Sequence, residues 1–190
     1  MTDFFDFDYE KAIFEWDDNK ASKNFITHGI RFETAIKVFA DNNKLIRYDE
    51  EHPTEERYDV LGKVGKILFV VCTFRRDNVI RIISARLATK AEKERYENGD
   101  NYYECLPTEL TEQELAELES AEHMPITFDE DSPEMTADML KQFHRMDSVN
   151  IKLSPANMKK VKSFGKDYPE ILSRLLDLAI NDTELLKKCI

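Results

Sequence analysis

The 190-residue chain is 42% hydrophobic and 34% charged, the balance of a folded globular protein rather than a disordered or fibrous one. Its longest apolar run, "ILFVVCTF", falls far short of the roughly 20 residues a membrane span needs. The start "MTDFFDFDYE" also lacks the basic opening and apolar centre of a secretory signal, so the reading is of a cytoplasmic protein with no membrane segment.

The net charge of -11 conceals three different stretches, because residues 1–97 carry -2, residues 98–147 carry -12 and residues 148–190 carry +3. This profile divides the chain into a near-neutral domain over residues 1–98, an acidic connector over 99–147 and a basic tail over 148–190. Cys72, Cys105 and Cys189 lie far apart without metal-ligand spacing and read as reduced thiols. No metal and no cofactor is expected.

In the first stretch, "DDNKASKNFITHG" offers an aspartate cap and a terminating Gly29, the marks of a short helix. In "RFETAIKVFAD", Phe32, Ala35, Ile36 and Phe39 recur at helical spacing, giving a stripe suited to packing on a sheet. Three or four strands follow, "KLIRYDE", "RYDVLGKV", "KILFVVCTFRR" and "VIRIISARLA", separated by turn residues as in an antiparallel meander. Thr89 with Glu92 makes a capping box that opens a closing helix. The expected class is α+β, with the helices on one sheet face and the other face left wet.

That second face would be strongly cationic. Ten basic residues against four acidic ones lie between Arg57 and Arg95, and Arg57, Arg75, Arg76, Arg81 and Arg86 sit on strands or at their ends. Guanidinium forks suit phosphate oxygens, although charged residues on a solvated sheet face are also ordinary. Arg81 and Arg86 are an odd number of residues apart and on a regular strand point to opposite faces. A bulge or bend near Ser84 is required for both to reach one ligand; otherwise one is structural, and Arg86 is the preferred member of the pair.

The order and spacing of "FEWD", "HG", "F..A..VF.D" and "IRIISAR.A...E...Y" across residues 13–97 resemble the BrnT family of toxins, small ribonucleases of RelE-like fold from type II toxin–antitoxin systems. The resemblance implies metal-independent endoribonuclease activity, with an acid–base group for the 2′-hydroxyl and leaving oxygen and cations for the phosphorane charge. It makes His28, Arg75, Arg81 and Arg86 the catalytic candidates, and Lys20, Lys23, Arg57 and Tyr96 the RNA-binding ones. Each has a plainer alternative. His28 can complement the helix C-terminus, Lys20 and Lys23 can be solvated, and Tyr96 can cover the sheet rather than stack on a base. Thr27 stands where the family usually has a basic residue, a departure that would weaken RNA binding or activity.

In the acidic stretch, "LTEQELAELE" carries a capping box at Thr111 and Glu114 with a narrow Leu115/Leu118 stripe. "MPITFDEDSPEM" reads as extended, and "TADMLKQFHRM" as a short amphipathic helix. In the tail, "SVNIKLS" alternates, Ser154-Pro155 opens a helix, Gly165 ends it and "PEILSRLLDLAI" begins another. Strand, helix, helix is the ribbon-helix-helix pattern, which buries its core only when two chains pair, so a homodimer is expected.

Residues 108–190 thus resemble the BrnA antitoxin family, and the whole chain resembles a toxin fused to its antitoxin. The resemblance implies that the acidic segment neutralises the toxin domain, within or between chains, and that Asn150 and Lys152 read operator DNA to repress transcription. Against DNA binding, Asp167 and Glu170 flank the second helix start, where phosphate would sit, and Pro169 lacks an N–H. Two other readings stay open: a DNA-binding regulator whose toxin-like domain is an inactive scaffold, and a structural dimer that binds neither nucleic acid.

Overall fold

The computed structural model describes residues 11–52, 55–75, 78–98, 109–145 and 154–163, with a few isolated positions between 172 and 179. Phe7–Asp147 form one compact unit, while Ser148–Ile190 belong to another.

In the first unit a short strand, β1 (Ile13–Glu15), leads to helix α1 (Asp18–His28). Asp17 caps α1 by accepting the Lys20 amide, and Gly29 ends it at φ 72°, a left-handed conformation that glycine adopts without steric penalty. Helix α2 (Phe32–Ala35) continues into a 3-10 turn over Ile36–Ala40. Four strands follow: β2 (Leu45–Asp49), β3 (Arg57–Val64), β4 (Lys66–Arg75) and β5 (Val79–Leu87). Helix α3 (Lys90–Glu97) opens with the expected Thr89/Glu92 capping box.

The acidic stretch contributes α4 (Glu112–Glu122), opened by the Thr111/Glu114 capping box, then α5 (Ala137–Gln142) and a two-residue strand, β6 (His144–Arg145). The strands form one sheet in the order β1-β5-β4-β3-β2-β6. The central four make the expected antiparallel meander. The sheet as a whole is mixed, because β1 pairs parallel to β5, and it is wider than expected, because β6 of the acidic stretch adds to β2.

One sheet face is closed by α2 and the 3-10 turn. Gly62 of β3 is needed there, since a Cβ would stand 2.7 Å from Val38 Cβ. The opposite face is not wet. Leu45, Leu61, Ile67, Phe69 and Val71 pack there with Tyr96 of α3 and with Met135 and Phe143 from the acidic stretch. The cover arises because α5 presents Met139 and Leu140 to this cluster, while β6 anchors its far end on the sheet edge. Among the described residues, no helix is long and apolar enough to cross a membrane.

In the second unit, α6 (Pro155–Lys162) has the expected Ser154 cap and Pro155 at its start. The expected ribbon strand with Asn150 and Lys152, and the helix predicted from "PEILSRLLDLAI", which starts at Pro169 and Glu170 after Asp167, lie outside the continuously described residues.

Candidate functional site

Strand β5 is irregular where the two arginines required it. Val71 pairs with Ser84 and Cys72 with Ile82, leaving Ile83 as an extra residue. Thr73 therefore faces Arg81 and Phe69 faces Arg86, and since Thr73 and Phe69 share a side of β4, both arginines share the covered face. They stand at different ends of it, about 13 Å apart along the strands at the usual rise per residue.

Arg86 is 1% exposed. Its two terminal nitrogens donate to the two Glu92 oxygens at 2.8 Å each, a fork-on-fork pair that neutralises a cation inside the core. Glu92 also accepts the Thr89 amide, so one carboxylate both caps α3 and fixes the arginine. Its Cζ stands over two rings, 4.1 Å from the Phe69 centroid and 5.3 Å from that of Phe128. It also donates to the Pro133 carbonyl at 3.2 Å. Phe128 and Pro133 both belong to the acidic stretch.

His28, at the last position of α1, has a side chain only 2% exposed. Nε2 lies 3.2 Å from Asp129 Oδ2, and Nδ1 lies 3.4 Å from Thr127 Oγ1. Burial lowers the imidazole pKa below its usual value; the Asp129 hydrogen bond and charge oppose this, and the charge of Arg86 adds to it. The neighbours suit a neutral ring that donates from Nε2 to Asp129 and accepts the Thr127 hydroxyl at Nδ1. Asp129 is held below the ordinary carboxylate range: although burial raises its pKa, the Ser132 amide and His28 outweigh that.

Arg57 Nη1 donates to Asp131 Oδ1 at 3.0 Å, and Lys20 Nζ donates to Asp131 Oδ2 at 2.6 Å. His28, Arg86, Arg57 and Lys20, from α1, β3 and β5, therefore converge on one loop of six residues, Phe128–Pro133. Beside it, Lys20, Lys23, Asn24, Thr27 and Ser84 border a cleft of about 320 Å³ together with Asp129 and Asp131. Asn24 forms one wall by bonding both the amide and the carbonyl of Ala85, which closes the free edge of β5 much as a neighbouring strand would.

Two other catalytic candidates stand apart from this group. Arg75 and Arg81 pair with Glu15 of β1 at 2.9 and 3.6 Å and keep side-chain exposures of 46% and 34%. Tyr96 is 1% exposed and its hydroxyl donates to Asp41 Oδ2 at 2.6 Å. In this arrangement its ring packs in the cluster with Met135 and Phe143, as in the alternative in which it covers the sheet rather than stacks on a base.

Several cations that bind the acidic stretch were not singled out in the sequence. Arg31 donates to Glu117 at 2.7 Å, Lys37 to Glu114 at 2.8 Å and Lys66 to Glu122 at 2.7 Å. Arg47, 1% exposed, donates to Gln142 at 2.7 Å and to Asp59 at 2.5 Å, and also pairs with Glu51. Desolvation raises the Asp59 pKa to about 7 against the pull of Arg47, with the nearby Asp49 and Glu51 charges adding to the rise. Arg95 donates to the backbone carbonyls of Leu140 and Phe143. The net charge of -12 over residues 98–147 hinted at this role, but partners 45 to 95 positions away leave no local pattern.

Residues 16–92 match the family model described as "Ribonuclease toxin, BrnT, of type II toxin-antitoxin system", under half of the chain. This stretch is a BrnT-like toxin domain. Among solved structures, the ribonuclease toxin BrnT of Brucella abortus is similar at 19% identity and a TM-score of 0.36, over 42% of this chain and 100% of that one. A comparison with curated proteins finds no match.

Proposed function

We propose that residues 1–98 are a metal-independent endoribonuclease domain held inactive by the acidic segment 99–147 of its own chain, so that toxin and antitoxin are joined in one polypeptide. The observation that carries this reading is the convergence of His28, Arg86, Arg57 and Lys20 on the single loop Phe128–Pro133. These groups are the parts that RNA cleavage by a neighbouring 2′-hydroxyl needs, and an anionic loop occupies them.

In the uncovered domain, His28 exchanges a proton with the 2′-hydroxyl or the leaving oxygen. An imidazole in its neutral form can act first as the base, and its ordinary titration range suits that role near pH 7. Arg86, held by Glu92, offers the face of its guanidinium to the RNA, Lys20, Lys23 and Arg57 hold phosphate, and Arg75 with Arg81 extends the cationic track along the sheet. Because a tethered segment acts at an effective concentration on the order of millimolar, a set of modest ion pairs suffices to keep it docked.

The tail, residues 148–190, is proposed to pair with a second copy as a ribbon-helix-helix and to present Asn150 and Lys152 to operator DNA, repressing transcription. Its net charge of +3 and the Ser154–Pro155 helix start support this. A second reading, a DNA-binding regulator built on an inactive toxin-like scaffold, is favoured by the Arg86–Glu92 pair, which can be purely structural.

The separating experiment is RNA cleavage by residues 1–98 beside the intact chain. Cleavage by the fragment, its loss in His28→Asn, and silence of the intact chain are expected. A folded fragment that leaves RNA intact would instead favour the scaffold reading.

A further inference from the structure

The loop that covers the site matches it group by group, more closely than a simple plug requires. A plug needs only apolar contact, yet here each of three subsites receives a group of matched chemistry. The Phe128 ring lies over the Arg86 guanidinium, as a nucleobase stacks on arginine. Asp129 offers a carboxylate oxygen to His28. Asp131 offers its two oxygens to two different cations, Lys20 and Arg57, as a phosphate does.

The loop is also stiffened for this presentation. Asp129 Oδ1 accepts the Asp131 amide at 3.1 Å and the Ser132 amide at 2.8 Å, which leaves Oδ2 aimed at the histidine.

We infer that Phe128–Asp131 imitates one nucleotide step of single-stranded RNA, so that the chain's own loop maps the substrate subsites. The inference rests on the ribonuclease reading above. The base before the cleaved bond stacks on Arg86, the scissile phosphate takes the place of the Asp129 carboxylate beside His28, and the next phosphate takes the place of Asp131 between Lys20 and Arg57. The strand then continues into the cleft of about 320 Å³, where Lys23 stands at the rim and Ser84 on the wall. That volume falls at the lower end of the range of small-ligand pockets.

The test uses the full chain and a fluorescein-labelled ten-nucleotide 2′-O-methyl RNA, which binds but cannot be cut, followed by fluorescence anisotropy over a salt series. Asp129→Asn with Asp131→Asn keeps the loop's shape and the acceptor at Oδ1, and is expected to bind the RNA at least tenfold more tightly than the wild type. In that background Lys20→Ala and Arg57→Ala should each weaken binding about tenfold and make the slope of log affinity against log salt shallower by about 0.7, the share of one phosphate contact on a single strand. Arg57→Lys should keep the slope. Lys90→Ala, at an exposed lysine that pairs within α3 with Glu94 and touches neither the loop nor the acidic segment, should change neither quantity.

If the double variant binds RNA but Lys20→Ala and Arg57→Ala leave affinity and slope unchanged, the mimicry is overturned while the ribonuclease reading survives. If neither the double variant nor the charge-reversed chain Asp129→Lys with Asp131→Lys binds RNA at low salt, both fall together.

Discussion

The two faces of the central sheet are closed in different ways. On one, the 3-10 turn comes so near that Val38 leaves Gly62 no room for a side chain, and Phe39 packs edge-on against Phe74 with centroids 6.5 Å apart. On the other, Met135 and Phe143 of the acidic stretch pack with Tyr96, while Arg95 donates to the carbonyls of Leu140 and Phe143 and Arg57 pairs with Asp131. The first has the anatomy of a domain core. The second, with an apolar centre and a charged rim, has the anatomy of a protein–protein interface, although both sides belong to one chain. The proposed inhibition requires that this face be uncovered without unfolding what lies beneath.

The comparison breaks most visibly at the plug. Phe143→Ala should cost about 3–5 kcal/mol of docking or stability, and hydrogen exchange should show where: α4 and α5 should lose protection while α1 and β3–β5 keep theirs. Loss of protection throughout would mean that the two faces form one cooperative core. On the opposite face, Gly62→Ala should lower global stability by about 1–3 kcal/mol through overpacking against Val38, measured as a lower denaturation midpoint with no change in the protection of α4 relative to β4.

A pH effect sharpens the contrast further. Asp59 has a folded pKa of about 7 against 3.8 in the unfolded chain, so the folded state holds a proton that the unfolded state has released. Its contribution to stability is therefore full below about pH 4 and is lost as pH rises towards 7. Asp59→Asn should flatten the fall in melting temperature across that window. The smallest expected effect is at His28, whose NMR titration midpoint should lie below 6.5 in the intact chain and move upward when Asp129→Lys and Asp131→Lys repel the loop.

Much of this architecture was legible in local pattern. The meander strands, both capping boxes and the α5 helix follow from alternation, turn residues and Thr-x-x-Glu or Thr-led starts. The need for a bulge near Ser84 followed from the odd spacing of Arg81 and Arg86, and the extra residue is Ile83. What stayed hidden depends on distant pairs. Strands β1 and β6, of three and two residues, are too short to carry a period. Glu92 reads as a capping residue, and nothing local announces that both its oxygens also hold Arg86. The cationic face looked solvent-exposed because the Met135 and Phe143 that cover it lie in a proline-bearing acidic stretch without a broad apolar stripe.

The measurement that tests the central claim most directly is RNA cleavage by the full chain in two forms, wild type and Asp129→Lys with Asp131→Lys, at equal concentration and low salt. The wild type should leave RNA intact, the charge-reversed chain should cut it, and adding His28→Asn should abolish the cutting. A charge-reversed chain that is folded, has a demonstrably exposed Arg86 face and still does not cleave RNA would contradict it.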